Sequence, residues 1–126
     1  MPFLHIRSLP VGGDFDTAEA VRAISAEFAR AAAVDEQHVS VTWQTLEPGH
    51  YASAGETATA QPAGSHPVLV ELLAPDSNSD ERIEQMLQVA AGAVAAQAGV
   101  DPGNVFAHFS PAHSGKVFDD GELVRW

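Results

Sequence analysis

Residues 33–39 read AVDEQHV, and residues 99–105 read GVDPGNV. Both stretches share the pattern V-D-x-x-x-V, and each joins a segment of helical periodicity to a segment that alternates like a strand. A recurrence in which order, type and spacing all agree indicates a repeated supersecondary unit. We therefore predict two copies of a strand–helix–strand unit in this chain.

The segments around residues 33–39 support this prediction for the first copy. Residues 2–9 alternate with period two, which is typical of a strand. Asp16 with Glu19 three residues later forms a capping-box pattern, so a helix over about residues 17–33 is expected. A second strand follows, with Val39, Val41 and Trp43 alternating with polar residues. The apolar positions of the helix recur at helical spacing: Val21, Ile24, Phe28 and Ala31.

The same order surrounds residues 99–105. Residues 67–74 (PVLVELLA) predict a strongly apolar strand, and residues 77–80 (SNSD) supply helix-capping side chains. Gly99 is typical of a helix C-cap. Residues 105–110 predict the fourth strand and residues 123–126 a final one. The buried stripe of the second helix is formed by Ile83, Met86, Leu87, Ala90 and Val94.

A long stretch between the two copies has the composition of a loop. Residues 47–66 are rich in Gly, Ala, Ser, Thr and Pro and contain no apolar period. Loops of this length are often functional. We predict one domain over residues 1–126, with repeat one at about 2–46, the loop at 47–66 and repeat two at about 67–126.

Right-handed crossovers would place both helices on the same face of one mixed sheet, which is an α/β architecture. The residues expected to face the helices are Leu4, Ile6, Val39, Val41, Trp43, Val70, Leu72, Val105, Ala107 and Phe109. The other face is expected to hold Phe3, His5, Arg7, Leu69, Leu73, Phe106 and His108. That second face is too apolar for water, so we expect a homo-oligomer to cover it. The alternative is that the loop at residues 47–66 folds over it.

Composition excludes several classes of function. Six Lys and Arg against seventeen Asp and Glu give a formal net charge of -11, which disfavours nucleic acid and anionic membranes as partners. The absence of Cys excludes disulfides and thiolate chemistry. Six histidines match no zinc or di-iron spacing, so no metal site is expected. The first residues lack a basic leader and a cleavable apolar core, so we expect no signal peptide and a cytoplasmic location.

Several short motifs carry a family resemblance. Met1-Pro2 runs directly into a strand, and residues 49–55 (GHYASAG) resemble the Gly-His-aromatic-Gly-x-Gly-Gly segment of 4-oxalocrotonate tautomerase. Residues 99–105 resemble the helix-to-strand corner of macrophage migration inhibitory factor and malonate semialdehyde decarboxylase. Residues 70–72 (VEL) and 117–121 (VFDDG) look like a bacterial branch of the same group. Taken in order, the motifs resemble the tautomerase superfamily across the whole chain.

The resemblance implies a tautomerase-like fold, a trimer, and a cofactor-independent tautomerase or isomerase acting on a small carbonyl or enol compound. Removal of Met1 would leave Pro2 with a free secondary amine as the general base. An N-terminal amine has a pKa of about 7.7–8.0, and burial in an apolar pocket lowers it. Without the resemblance, Pro2 reads as a proline at the first strand position, where no N–H is required.

The other site residues follow from the same resemblance. The aromatic candidates for the pocket wall are Phe3, Tyr51, Phe106 and Trp126, some of them donated by a neighbouring subunit. His50 is a further pocket candidate. His108 stands where migration inhibitory factor has an Asn and would polarise a carbonyl. Arg7 would bind a substrate carboxylate, although we favour an ion pair between Arg7 and Glu71 across the sheet.

The sequence also departs from the family pattern. Phe106 replaces a Tyr, Val34 replaces a Lys, and Pro75-Asp76 stands where the decarboxylase has arginines. These losses argue against dehalogenase and decarboxylase chemistry. They favour the alternative function, a non-catalytic trimer of the same fold with a binding or structural role.

Overall fold

A computed structural model describes every residue from Met1 to Trp126. The chain forms two helices, four long strands and two short hairpins. The helices are α1 (Thr17–Ala31) and α2 (Asp80–Ala98). The strands are β1 (Phe3–Ser8), β2 (Ser40–Thr45), β3 (Ala52–Ser53), β4 (Glu56–Thr57), β5 (Val68–Pro75), β6 (Val105–Ala112), β7 (Val117–Asp119) and β8 (Glu122–Val124). Single turns of 3-10 helix span Glu36–His38 and Pro102–Asn104. No helix is long and apolar enough to cross a membrane.

The main sheet is mixed, with the strand order β2-β1-β5-β6. β1 is parallel to β2 and antiparallel to β5, and β5 is parallel to β6. Phe3 lies opposite Ser40 and Val68 opposite Val105, so both parallel pairs have the same register (40 − 3 = 37 and 105 − 68 = 37). Two strand–helix–strand repeats therefore build this sheet, as predicted. Equivalent residues of the two repeats are 66 positions apart, which is the distance between Val34 and Val100 in the V-D-x-x-x-V pattern.

Local capping interactions begin and end the helices where the sequence indicated. The Asp16 side chain accepts a hydrogen bond from Glu19 N at 3.2 Å. The reciprocal half of the capping box is missing, because the Glu19 carboxylate pairs with Arg22 instead. Gly99 ends α2 in the left-handed region, with φ of 67°, a conformation that glycine adopts without a steric penalty.

The hydrophobic core lies between the sheet and the two helices. The predicted helix-facing residues are all either buried or packed against this core, which confirms that set. The side chains at its centre are fully buried: Leu4, Ile6, Ile24, Phe28, Val68, Leu72, Ala90 and Val94. Burying one large aliphatic or aromatic side chain contributes roughly 1.5–3 kcal/mol. Both helices therefore occupy one face of the sheet and leave the other face free.

The free face of the sheet is exposed in the single chain. Phe106 retains 58% and Phe3 37% of its accessible surface. This exposure shows that the loop at residues 47–66 does not cover the face, and Gln61 attaches the loop to the end of β1 instead. The Gln61 N–H donates to Pro10 O at 2.8 Å, and Gln61 Oε1 accepts from Leu9 N at 3.3 Å. The interpretation that the loop covers the face is therefore wrong.

The chain ends in a hairpin outside the main sheet. A strand near residues 123–126 was expected, and the structure places β8 at Glu122–Val124, paired with β7. The indole of Trp126 then bonds to the turn that follows β5. The hairpin thus lies at the end of the sheet where β5 finishes.

Candidate active site

Pro2 is buried at the end of the sheet where β1 and β2 both begin. Its carbonyl accepts a hydrogen bond from Ser40 N at 3.1 Å, which continues the parallel pairing of the two strands. Because β5 runs antiparallel to β1, Leu73 near the end of β5 lies beside the same residues. Pro2 therefore sits where three elements of the fold meet.

A cleft of about 450 Å³ opens beside Pro2. Its lining residues come from the chain start, the corner before β2, the end of β5 and the C-terminal hairpin. They are Met1, Pro2, Phe3, Gln37, His38, Ser40, Leu73, Val117, Phe118 and Asp119. This volume is within the range of small-molecule sites, about 300–1,000 Å³.

Asp35 shapes the corner that forms one side of the cleft. Its carboxylate accepts from Gln37 N at 3.1 Å and from Gln37 Nε2 at 2.8 Å. The backbone hydrogen bond, followed by the side-chain one, lowers the pKa of Asp35 below its ordinary value. The Gln37 amide N–H is thereby occupied within the corner. The His38 ring and Ser40 Oγ form no hydrogen bond within the chain and remain available to a ligand.

Asp76 anchors the hairpin that forms the opposite side. Asp76 Oδ1 accepts from Trp126 Nε1 and Oδ2 lies beside His113 Nδ1, both at 2.8 Å. The hydrogen bond from Trp126, then that from His113, lowers the pKa of Asp76. This carboxylate thus holds in place the segment that carries Phe118 and Asp119.

Tyr51 lies at the other end of the sheet from Pro2. Its hydroxyl donates to Pro67 O at 3.0 Å, its ring packs edge-on against His66, and burial raises the pKa of Tyr51. The residue numbers of antiparallel partners in β1 and β5 add up to 76, as for Phe3 and Leu73. Pro67 is therefore level with Leu9, seven residues beyond Pro2 (9 − 2 = 7). The level of Pro67 is therefore roughly 23 Å from Pro2 along the strand, at about 3.3 Å per residue.

Three further predicted site residues, Arg7, Phe106 and His108, lie on the free face of the sheet. Glu71 pairs in register with His5 on one side and His108 on the other, and His108 Nε2 is 3.4 Å from Glu71 Oε2. The predicted ion pair between Arg7 and Glu71 is therefore wrong, because Arg7 is opposite Leu69 instead.

His50 is exposed, with Nε2 3.7 Å from Glu47 Oε2. Of the predicted site residues, only Pro2 and Phe3 line the cleft within one chain. No group of three or more His, Asp or Glu side chains is arranged to hold a metal ion.

A second, larger depression of about 550 Å³ lies on the outer surface between α1 and α2. Small residues and the ion pair between Glu27 and Arg30 line it. It presents no unpaired nucleophile or acid–base group, so the smaller cleft at Pro2 is the stronger candidate despite its lower volume.

Sequence reasoning missed His38, Ser40, Phe118 and Asp119 as cleft residues. The first two had a signal, since a parallel crossover brings the residues before the second strand beside the start of the first. Phe118 and Asp119 belong to the VFDDG motif, but that motif did not indicate their place in the fold, because the path of the C-terminal hairpin depends on the tertiary contacts of Asp76.

Solved structures match nearly the whole chain. Pt0534 inactivated by 2-oxo-3-pentynoate has a TM-score of 0.81 at 12% identity, with 97% of this chain and 94% of that chain covered. The fused 4-OT wild-type symmetric trimer has a TM-score of 0.80 at 16% identity, with coverage of 97% and 94%. N1, a member of the cis-3-chloroacrylic acid dehalogenase family, has a TM-score of 0.75 at 16% identity, with coverage of 97% and 82%. No family model and no curated relative matches the sequence. The fold predicted from the sequence is thereby confirmed, and the chain has the fold of the tautomerase superfamily.

Proposed function

We propose that this protein is a cofactor-independent tautomerase or isomerase that uses Pro2 as the general base. The observation that carries the proposal is the position of Pro2, which is buried beside a cleft of small-molecule size. The fold around it is shared with Pt0534, the protein inactivated by 2-oxo-3-pentynoate. Removal of Met1 would free the secondary amine and enlarge the cleft at the same point. The base would then face the site directly.

The chemistry is a proton transfer next to a carbonyl group. In the keto-to-enol direction, the Pro2 amine takes a proton from the α-carbon, and the electron pair moves to the carbonyl oxygen. The enolate oxygen then needs a hydrogen-bond donor. The His38 ring and Ser40 Oγ are the unpaired donors in the cleft. Leu73 and Phe118 add apolar surface to the same cleft.

The assembly that we propose is a homotrimer. Its support is the exposed aromatic surface of the free sheet face, together with the symmetric trimer formed by the fused 4-OT. Tyr51 and His50 lie far from Pro2 within one chain, so a neighbouring copy would have to supply them to the cleft. The exposed position of His108 and Phe106 on the free face is consistent with such sharing.

The experiment begins with the intact mass of the purified protein, which reports whether Met1 is removed. The second step measures exchange of the α-protons of 4-phenyl-2-butanone in D2O by NMR. One variant inserts Ala between Met1 and Pro2, which turns the Pro2 nitrogen into a non-basic amide and keeps the ring. Pro10→Ala is the matched control, because it removes a proline at the other end of β1.

We expect the insertion to abolish exchange and Pro10→Ala to leave it near the wild-type rate. General-base catalysis typically contributes 10²–10⁴-fold, so the loss would be large. Exchange that persists unchanged in the insertion variant would rule out Pro2 as the base.

A second candidate function is a non-catalytic trimer with a binding or structural role. The specific observation in its favour is that no Lys or Arg lines the cleft. Full retention of Met1 would favour it, because the Pro2 nitrogen is then part of a peptide bond. The intact-mass measurement therefore separates the two candidates before any substrate is tried.

A further inference from the structure

The side chains that line the cleft beside Pro2 carry a negative charge, which is unfavourable for binding an oxo acid. The only formally charged side chain in the cleft is that of Asp119, and the cleft contains no cation apart from the chain terminus. The whole chain adds a formal net charge of -11. A carboxylate entering this cleft would meet the like charge of Asp119, and the terminal amine would be its only cationic partner within the chain.

Each of the six basic residues is placed elsewhere. Arg22 and Arg30 form ion pairs with Glu19 and Glu27 on the exposed side of α1. Arg82 donates to Gln85 on α2 at 2.8 Å.

The remaining three basic residues, Arg7, Lys116 and Arg125, also lie outside the cleft. Arg7 is on the free sheet face, and Lys116 and Arg125 flank the C-terminal hairpin without lining the cleft. The guanidinium of Arg125 packs instead against Gly115. Within one chain, no arginine fork faces a carboxylate at Pro2.

The polar groups that do line the cleft suit an uncharged oxygen. Ser40 Oγ and the His38 ring carry no hydrogen bond within the chain, so each is able to donate to a carbonyl oxygen. Apart from Gln37 and Asp119, the other lining residues are apolar. Phe118, which is 71% exposed, lines the cleft together with Phe3 and Leu73. An aromatic or alkyl group would bury this surface on binding.

We propose that the Pro2 cleft binds an uncharged ketone or aldehyde with an apolar substituent and discriminates against the corresponding 2-oxo acid through Asp119. The inference rests on the proposed function for the choice of site, but it concerns ligand binding and not proton transfer. Discrimination of this kind comes from a repulsive element as well as from favourable contacts.

The test is an NMR titration of the intact, isotope-labelled protein in its native assembly. The two ligands are 4-phenyl-2-butanone and 2-oxo-4-phenylbutanoate, which differ only in a methyl group against a carboxylate. The readout is the shift of the backbone amides of Gln37, Ser40 and Asp119. We expect the ketone to bind at least about tenfold more tightly, and the difference to shrink as salt is added.

Two variants test whether the negative charge of Asp119, and not the shape of the cleft, causes the preference for the ketone. Asp119→Asn keeps the side-chain oxygen that accepts from Asp120 N but removes the charge. It should tighten binding of the acid and leave that of the ketone nearly unchanged. Asp120→Asn is the matched control, since it removes an adjacent charge that does not line the cleft, and it should preserve most of the difference.

Binding of the acid as tight as that of the ketone would overturn the inference, as would the absence of amide shifts with both ligands. An unchanged preference in Asp119→Asn would overturn the role of Asp119. Failure of the proposed function would look different. The ketone would still bind with the same preference, while α-proton exchange would be absent or insensitive to the Ala insertion.

Discussion

Trp126 Nε1 donates a hydrogen bond to Asp76 Oδ1 at 2.8 Å, which joins the last residue of the chain to the turn after β5. The same carboxylate contacts His113 Nδ1 through its other oxygen. Between His113 and Trp126 lies the hairpin that carries Phe118 and Asp119 into the cleft. Asp76 therefore has a positioning role for one wall of the site without lining it.

Trp126→Phe should loosen this hairpin, because it removes the indole N–H and keeps most of the aromatic surface. We expect faster hydrogen exchange at the amide of Gly115, which donates to Val124 O at 2.9 Å, with little change in the core amides. Trp43→Phe is the control, since it removes an indole N–H that bonds to Ser8 Oγ instead. Equal exchange at Gly115 in wild type and Trp126→Phe would contradict the positioning role.

The attachment of the hairpin should depend on pH. Hydrogen bonds from Trp126 and His113 lower the pKa of Asp76, so its stabilising contribution is complete above the unfolded pKa, about 3.9. That contribution is lost as the pH falls through the lower folded value. We expect the Trp126 indole N–H resonance to move in this acid range. Asp76→Asn should abolish the transition, and a transition that survives would assign it to another group.

Gln61→Ala should destabilise the fold by about 1–3 kcal/mol, because it leaves buried backbone groups without partners. The Gln61 side chain bonds to Leu9 N and to His66 O, and the residue is only 3% exposed. Urea unfolding provides the measurement. Gln88→Ala, on the exposed side of α2, should change the free energy of unfolding by less than about 0.5 kcal/mol. Equal effects of the two substitutions would mean that the loop is not attached through Gln61.

Phe106→Arg should dissociate the assembly. The substitution places a charge on the free sheet face, where a neighbouring copy would have to bury it unpaired. Light scattering coupled to size exclusion would detect the change from oligomer to monomer. Gln88→Arg adds the same charge on the opposite side of the molecule and should leave the mass unchanged. A wild-type protein that is already monomeric would refute the proposed trimer.

The sequence predicted the elements of the fold well because their signals are local. Period two marked β1, helical spacing marked α1, and Gly99 marked the end of α2, each within about two residues. The pair between Arg7 and Glu71 failed because it depended on strand register. Glu71 lies opposite His5, and Arg7 is two residues further along the strand. Nothing in local periodicity specifies the register of strands joined by a long loop.

The candidate site was less predictable for a related reason. Pro2 was found from its place at the start of a strand, but its neighbours come from distant parts of the chain. His38 and Ser40 reach it through the parallel crossover, and Phe118 reaches it through contacts of Asp76 with residues at the C-terminus. Only a three-dimensional structure brings these segments together.

The 66-residue offset between the repeats pairs Pro2 with Val68 (2 + 66 = 68) and His38 with Asn104 (38 + 66 = 104). Val68 is fully buried, and the Asn104 side chain lies against Ala63 and Gly64 of the central loop, 3.2 Å from Ala63 O. The loop therefore fills the place that is open in repeat one. The first repeat thus has an open cleft beside Pro2, whereas the equivalent place in the second repeat is filled by the central loop. An assembly of n chains contains 2n repeats but only n openings, so saturation with a cleft ligand should reach one molecule per chain.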